Sequence, residues 1–358
     1  MTGPWERPAP ELAPGSTPNA AGMDLAALRA LMAGLGESGF RAAQIHEGLY
    51  RHRWTRWEQF SNLSKALRAR LQEAARLQWP ELGDSVDSAD GSTKHAFRLE
   101  DGSLVEGVHM PYGDRTTLCL SSQVGCAMGC TFCATGLMGI RRNLSCGEIT
   151  GQVITMLNAH DHPPATPVNL VFMGMGEPLH NLDQVMAAFA LLTDPKGLAI
   201  PPWRITLSTS GLVSGIQRLA GFPRRPRLAL SLNATTDAYR SGIMPVNRVW
   251  NLAALAEALK AFPLERGERI TLEYVLLKGV TDSLEDGRRL AAFARQFPSK
   301  VNLIPFNAHE GSGFEPPSEE RVGELCGLLA AREITVSVRR SRGQDVAGAC
   351  GQLVRGNR

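Results

Sequence analysis

Three thiols, Cys126, Cys130 and Cys133, stand in the run Cys-Ala-Met-Gly-Cys-Thr-Phe-Cys of this 358-residue chain. The small residues between them let the backbone turn sharply enough to point every sulfur inward. A closed structural zinc site takes four ligands, usually as two separated pairs, and no second CxxC or HxxxH completes this run. Three thiolates on a 4Fe-4S cluster leave one iron without a protein ligand, and an open iron is what a reactive cofactor needs. Buried structural thiols and a three-ligand zinc site are the competing readings.

Four more cysteines make up the seven. Cys119 lies in the apolar run Thr117-Leu118-Cys119-Leu120 and, by strand alternation, faces away from its leucine neighbours. Cys350, in Gly348-Ala349-Cys350-Gly351-Gln352, has no packing reason to be there, so it reads as a nucleophile, a metal ligand or an incidental thiol. Cys326 recurs with Val322, Leu325 and Leu329 at helical spacing and reads as a buried inert thiol. Cys146 opens a helix, where the dipole lowers a thiol pKa, yet a structural role suits it better. His160-Asp161-His162, in a Pro-rich loop without further ligands, reads as a surface turn.

The elements that must hold these groups follow from periodicity. From about residue 115, short apolar runs at 116–121, 168–173, 203–208, 227–232, 269–277, 300–306 and 334–338 alternate with helical patterns. Ser145 and Glu148 form a capping-box pair, and Asn181 and Asp282 are candidate N-caps. Such alternation with right-handed crossovers gives an α/β fold, a parallel sheet curled into a full or partial barrel. Its chemistry belongs at the carboxyl ends of the strands. There the sequence places Gly174 to Pro178, Ser208 to Gly211, Ser231 to Asn233, and Asn307. Each alone is ordinary turn chemistry, but together they describe one pocket. Upstream, Lys94 to Leu99 and Ser103 to Met110 flank Glu100-Asp101-Gly102, a hairpin turn sequence, with Glu106 in its second arm.

Leu25, Leu28, Leu31 and Met32, then Leu63, Leu67 and Leu71, recur at helical spacing and predict a small helical module. Between 24 and 80 nine Lys or Arg stand against five Asp or Glu, interleaved with Trp54 and Trp57. Basic and aromatic residues together suit RNA; the alternative is that both tryptophans form a small core under a solvated basic face. The expected organisation is a disordered tail (1–22), the helical module (23–82), a linker and hairpin (83–112), the barrel (113–340) and a tail carrying Cys350 (341–358). Net charge is only +3, so any nucleic-acid contact must come from local patches. No signal peptide or apolar run of about 18 residues is visible. A thiol cluster survives best in a reducing compartment, and the expected location is the cytoplasm.

CxxxCxxC directly after a strand resembles the signature of the radical S-adenosylmethionine enzymes, whose open iron is chelated by the amino and carboxylate groups of that cofactor. With Gln123-Val124-Gly125 before it, and Cys133-Ala134-Thr135-Gly136 and Arg142-Asn143-Leu144 after it, the chain is similar to the RlmN/Cfr family, which methylates adenine in ribosomal RNA. The resemblance runs from about residue 24 to 355. It implies a radical SAM (β/α)6 partial barrel with a small N-terminal helical accessory domain, the segment Phe40 to Ile45 resembling that domain. It implies a 4Fe-4S cluster on Cys126, Cys130 and Cys133, and two S-adenosylmethionine molecules consumed per methylation. Gly176, Glu177, Ser208, Ser231, Leu232, Asn233 and Asn307 match the cofactor contacts, with Asn233 where many members carry His. Cys119 and Cys350 match the two catalytic cysteines, and Glu106 matches the proton acceptor.

The chemistry explains why two thiols are needed. Adenine carbon 2 lies between two ring nitrogens and is too electron-poor to attack the methyl of S-adenosylmethionine, so a thiolate takes the methyl first. In the family scheme Cys350 carries that carbon to the ring and Cys119 releases the product, leaving a disulfide. The implied partners are 23S rRNA, transfer RNA in the RlmN branch, and a one-electron donor such as flavodoxin or ferredoxin; no membrane is involved and a monomer is expected. The Cfr branch, which methylates carbon 8, shares these motifs. An iron-sulfur RNA-binding or electron-transfer protein without catalysis, and a radical enzyme acting on a peptide, are the rivals from other classes.

Overall fold

The computed structural model describes residues 17–163, 166–309 and 311–353. Most of the expected N-terminal tail lies outside them. Residues 17–22 are packed instead, because Ala20 and Ala21 are buried and the Ala20 amide donates to the Arg76 carbonyl (2.8 Å).

The N-terminal module holds α1 (Leu25–Gly34), α2 (Gly39–Tyr50) and α3 (Lys65–Ala74), each opened by a side-chain cap, Asp24, Ser38 and Ser64. Leu28, Met32, Leu67 and Leu71 are buried, as their spacing predicts. The Trp57 indole donates to the Ala75 carbonyl (3.1 Å), and Trp54 packs edge-on to Phe60 with ring centroids 4.8 Å apart. Both tryptophans therefore serve a small core, which corrects their reading as base-stacking platforms. The module is fastened to the barrel by hydrogen bonds from Arg53 to the His162 carbonyl and from Asn158 to the Arg53 carbonyl, both 3.0 Å.

A single ten-stranded sheet follows. It begins with β1 (Glu81–Asp87), β2 (Thr93–Arg98) and β3 (Leu104–Tyr112), which pair antiparallel with one another and pass into β4 (Arg115–Cys119). Residues 81–87, read as part of a module end and a linker, are thus a strand. β5 (Gln123–Gly125) and β6 (Ile140–Asn143) form a separate two-stranded ribbon around the cysteine loop and the short helix α4 (Ala134–Leu137). Parallel to β4 then run β7 (Val168–Phe172), β8 (Ile205–Thr209), β9 (Arg227–Ser231), β10 (Ile270–Leu276), β11 (Ser299–Pro305) and β12 (Val336–Val338). The crossovers carry α5 (Cys146–Ala159), α6 (Leu182–Leu192), α7 (Val213–Ala220), α8 (Asp237–Ile243), α9 (Leu252–Lys260), α10 (Leu284–Ala294) and α11 (Glu319–Ala330). β1 and β12 are the two ends of the sheet order, so the barrel is partial.

Two predicted caps act differently. Asn181 spends its amide on the Ser122 and Leu144 carbonyls (2.8 Å each), and α10 is capped by Ser283 with Asp286, while Asp282 accepts from the Gly279 amide. The Ser145–Glu148 capping box forms as expected. Arg142 joins it to the hairpin: the guanidinium pairs with Asp101 in the turn (2.9 and 3.0 Å) and with Glu148 in the cap (2.8 and 2.9 Å). Three motifs separate in sequence thus meet at one buried cation.

Candidate active site

The cysteine loop is thrown back over the barrel mouth by a close crossing. Gly125 has φ +75°, and a Cβ there would lie 1.9 Å from the Gly139 oxygen, so only glycine lets the Cys126 amide donate to that carbonyl (2.9 Å). Cys126, Cys130 and Cys133 line one cavity with the strand ends. Burial pushes all three thiols above their usual range, and for Cys126 and Cys130 a neighbouring thiol of the same loop adds to it. A cation bound among thiols so placed would favour their deprotonated form. Among the described residues no three His, Cys, Asp or Glu side chains converge on a point that one metal ion could occupy. Three separate sulfurs facing one cavity are instead a donor set that fits a cluster, where each thiolate takes a different iron.

The strand ends build the opposite wall. After β7, Gly176 has φ +101°, and a Cβ would sit 2.6 Å from Gln123; the Glu177 amide next to it donates to Gln123 Oε1 (2.9 Å). Glu177 lines the cavity, but its carboxylate accepts from the Ser210 amide (2.7 Å), the Ser210 hydroxyl (2.8 Å) and the Leu179 amide (3.1 Å). Burial raises its pKa while the Ser210 and Thr209 donors pull it back. Its visible work is to fix the loop after β8. Ser208 and Ser231 face each other across β8 and β9 with oxygens 3.3 Å apart. Asn233 has φ +57°, a conformation Asn tolerates better than most residues, and accepts from the Val275 amide (3.0 Å). Leu232 is the exception: it is fully buried and absent from the cavity wall.

Asn307, after β11, lines the same cavity and grips the C-terminal tail. Its amide donates to the Ser341 hydroxyl (2.9 Å) and the Cys350 carbonyl (3.1 Å), while Gln344 donates to its oxygen (2.9 Å). Further along, Arg342 donates to the Pro111 and Asp90 carbonyls, and the Gly343 amide donates to Asp90 (2.9 Å). Asp345 accepts from the Ser88 hydroxyl (2.6 Å) and the Ala89 amide (3.0 Å). The tail is thereby latched to the turn between β1 and β2. Cys350 reaches the cluster cavity and also shares a smaller adjoining cavity with Cys119, Val108, Met110 and Met173. Glu106 lies on the face of β3 that carries Val108, the cross-strand partner of Cys119. It is fully buried, with Lys94 3.3 Å away.

Comparison with known proteins places this geometry. Residues 120–291 match the Radical SAM superfamily, and residues 18–77 match the Ribosomal RNA large subunit methyltransferase N-terminal domain. The dual-specificity RNA methyltransferase RlmN of Anaeromyxobacter sp. (strain Fw109-5) is 48% identical over 99% of this chain and 94% of that protein. The chain belongs to the RlmN family. RlmN 2 of Myxococcus xanthus (strain DK1622) is 45% identical over 98% of this chain and 94% of that protein. A crystal structure of a radical SAM methyltransferase from Sphaerobacter thermophilus superposes with a TM-score of 0.90 at 41% identity, covering 94% of this chain and 99% of that one. As an RlmN relative the protein is a radical SAM RNA methyltransferase, a class that uses a 4Fe-4S cluster and S-adenosylmethionine.

Within this RlmN-type site three residues were given no role by sequence reasoning. Arg240 is fully buried and donates to the carbonyls of Ser210 (2.6 Å), Leu232 (2.9 Å) and Ser231 (3.3 Å), tying two strand ends together. Glu273, inside β10, and Arg339, just past β12, meet at 3.5 Å within the barrel. A charged residue inside an apolar strand run is the one sign that could have marked Glu273.

The remaining predicted thiols and histidines are placed as follows. All seven cysteines are free. Cys146 is buried, and burial pushes its thiol up to about 12, so the helix dipole does not activate it. Cys326 is half-buried rather than buried. The turn expected at 160–162 forms, with Asp161 exposed, but its histidines face inward: His162 is buried, and His160 stacks on His109 with centroids 3.6 Å apart and bonds His95 at 2.8 Å. Among the described residues no helix is long and apolar enough to cross a membrane.

Proposed function

We propose that this protein methylates carbon 2 of an adenine in 23S rRNA, at the peptidyl transferase centre, and of an adenine in transfer RNA, with Cys350 as carbon carrier and Cys119 as resolving thiol. The observation that carries the reading is the pair of adjoining cavities: Cys350 stands in both, facing the three-thiol loop on one side and Cys119 on the other. The dual-specificity name of the relatives supports both RNA substrates.

Cys126, Cys130 and Cys133 would hold the cluster, and the walls at Gly176, Ser208, Ser231, Asn233 and Asn307 would receive the cofactor. When bound, cluster and cofactor supply a radical that takes one hydrogen atom from a methyl group on Cys350. The methylene on the Cys350 sulfur adds to carbon 2, and the ring proton passes to Cys119 or Glu106. The Cys119 sulfur then bonds to the Cys350 sulfur as the sulfur–carbon bond breaks. The electron pair of that bond stays with the methylene carbon, which takes up a proton, and the one electron left over returns to the redox partner. The disulfide is thus a product of turnover. Two S-adenosylmethionine molecules are consumed, one as methyl donor and one as radical source. A flavodoxin or ferredoxin as electron donor, a monomeric state and a cytoplasmic location complete the proposal.

Mass spectrometry of digested rRNA and tRNA from cells with and without the gene tests it. Loss of 2-methyladenine is expected; loss of 8-methyladenine instead would assign the Cfr activity. Cys119→Ala is expected to trap RNA covalently on Cys350, and absence of that adduct would remove Cys119 from the resolving step.

A further inference from the structure

Cys119 has a problem that its assigned role does not solve. It must act as an anion or a base, yet its sulfur is buried among Val108, Met110, Met173, Ala349 and Leu353. Burial, with the nearby Cys350 second, pushes its thiol up to about 12. The charged groups facing it are few. On the neighbouring strands Glu106 is paired with Lys94 at 3.3 Å. From the tail Arg342 reaches the cavity wall but spends its guanidinium on the Asp90 and Pro111 carbonyls. Among the described residues that line its cavity the remaining cation is Arg339, which lines both cavities and so faces Cys350 as well as Cys119.

The position of Arg339 is itself held. Its Nη1 donates to the Met173 sulfur at 3.2 Å and lies 3.5 Å from Glu273 Oε2, while its backbone amide donates to the Leu303 carbonyl (2.8 Å), continuing the β11–β12 ladder past Val338. A guanidinium stays charged at any working pH, and in a site with little water it favours a neighbouring anion strongly. We propose that Arg339 is a positioning residue for the resolving step: fixed by Glu273 and Met173 in the wall between the two cavities, it favours the thiolate of Cys119. Glu273 has a second effect, since its negative charge partly offsets Arg339 as seen from the thiol.

This deepens the proposed reaction and rests on Cys119 being its resolving thiol, but its test needs neither RNA nor cofactor. The anaerobically purified protein is treated with iodoacetamide across a pH series, and alkylation of Cys119 is read by peptide mass spectrometry against the half-buried, remote Cys326. In Arg339→Met, alkylation of Cys119 at pH 8 is expected to slow about tenfold, one pKa unit, with Cys326 unchanged; Arg339→Lys should recover part of it. Glu273→Gln keeps an amide oxygen to accept from the Arg339 guanidinium while removing the opposing charge, so it should move Cys119 the other way, to faster alkylation. A loosened core would move both variants in one direction, so equal signs overturn the proposal, as does an Arg339→Met profile identical to the unmodified protein. If Arg339→Met does not fold, the Lys and Gln variants still decide by their signs. Because methyl transfer is not measured, loss of RNA methylation and loss of the charge effect remain separate results.

Discussion

The two walls of the site are held in different ways. The wall built on β4 and β7 to β11 hangs from a continuous ladder and from buried polar groups, Arg240 on strand-end carbonyls and Glu177 on the Ser210 loop. Opposite it, residues 341–353 are held by hydrogen bonds to a turn, to Asn307 and, at their end, to Ala134 and Thr135 of α4, and among these residues Ala349 and Leu353 are the buried apolar ones. Few apolar contacts and many surface hydrogen bonds mark a segment that opens at low free-energy cost. The contrast suits the roles proposed for the two walls: a reactive centre needs a fixed cage, while a carbon carrier must be able to shift between donor and acceptor.

Substitutions separate the walls, the largest effect first. Cys126→Ala removes a thiol that nothing replaces, so bound iron, cofactor cleavage and RNA methylation should all disappear. Cys350→Ala should keep full iron content and lose only methylated RNA; iron lost equally from both would erase the distinction. Arg142→Met leaves Glu148 and Asp101 without their cation and should lower stability by roughly 3–5 kcal/mol, read by thermal unfolding. Hydrogen bonds from Arg142 hold the Asp101 carboxyl well below its usual range. That contribution is therefore complete at neutral pH and is lost as pH falls through the lowered value, an acid-sensitive step the variant should lack.

On the tail side, Asn307→Ala removes hydrogen bonds to Ser341 and Cys350 worth roughly 1 kcal/mol each. Turnover should fall about tenfold and limited proteolysis of the tail should accelerate, with the unfolding temperature unchanged. A drop in unfolding temperature comparable to Arg142→Met would show that the tail is part of the main core. The smallest effect is expected at Asp345→Ala, read as faster amide exchange at Ser88 to Asp90. The Ser88 hydroxyl keeps the Asp345 carboxyl low, so in the native protein this latch holds at neutral pH and weakens only in acid.

How much of this was readable beforehand depends on the range of the interaction. Period-two and helical patterns located the parallel strands, and the rule that strand ends carry the chemistry gathered Gly176, Ser208, Ser231 and Asn307 before any coordinates. Local reasoning failed where a partner far along the chain decides. β1 lacks a buried face, its residues being exposed throughout, so no hydrophobic alternation betrays it. Leu232 sits between two wall residues and, by the alternation of a strand end, turns away from them. Glu273 and Arg339 are 66 residues apart, and only closure of the barrel makes them a pair. His160 does lie in a turn, but its inward stacking was not legible because the partner, His109, belongs to a strand 51 positions earlier.

The latch between the tail and the β1–β2 turn joins segments more than 250 residues apart, Ser88 with Asp345 and Asp90 with Gly343. Contacts of such range close late, since their entropy must be lost before anything offsets it. On the proposed reaction, a nascent or proteolytically clipped chain lacking residues beyond 340 would then keep the three-thiol loop with no Cys350 beside it. Such a species could spend reductant and cofactor without ever marking an RNA, which makes the integrity of one thin strap the difference between a productive enzyme and an idle radical source.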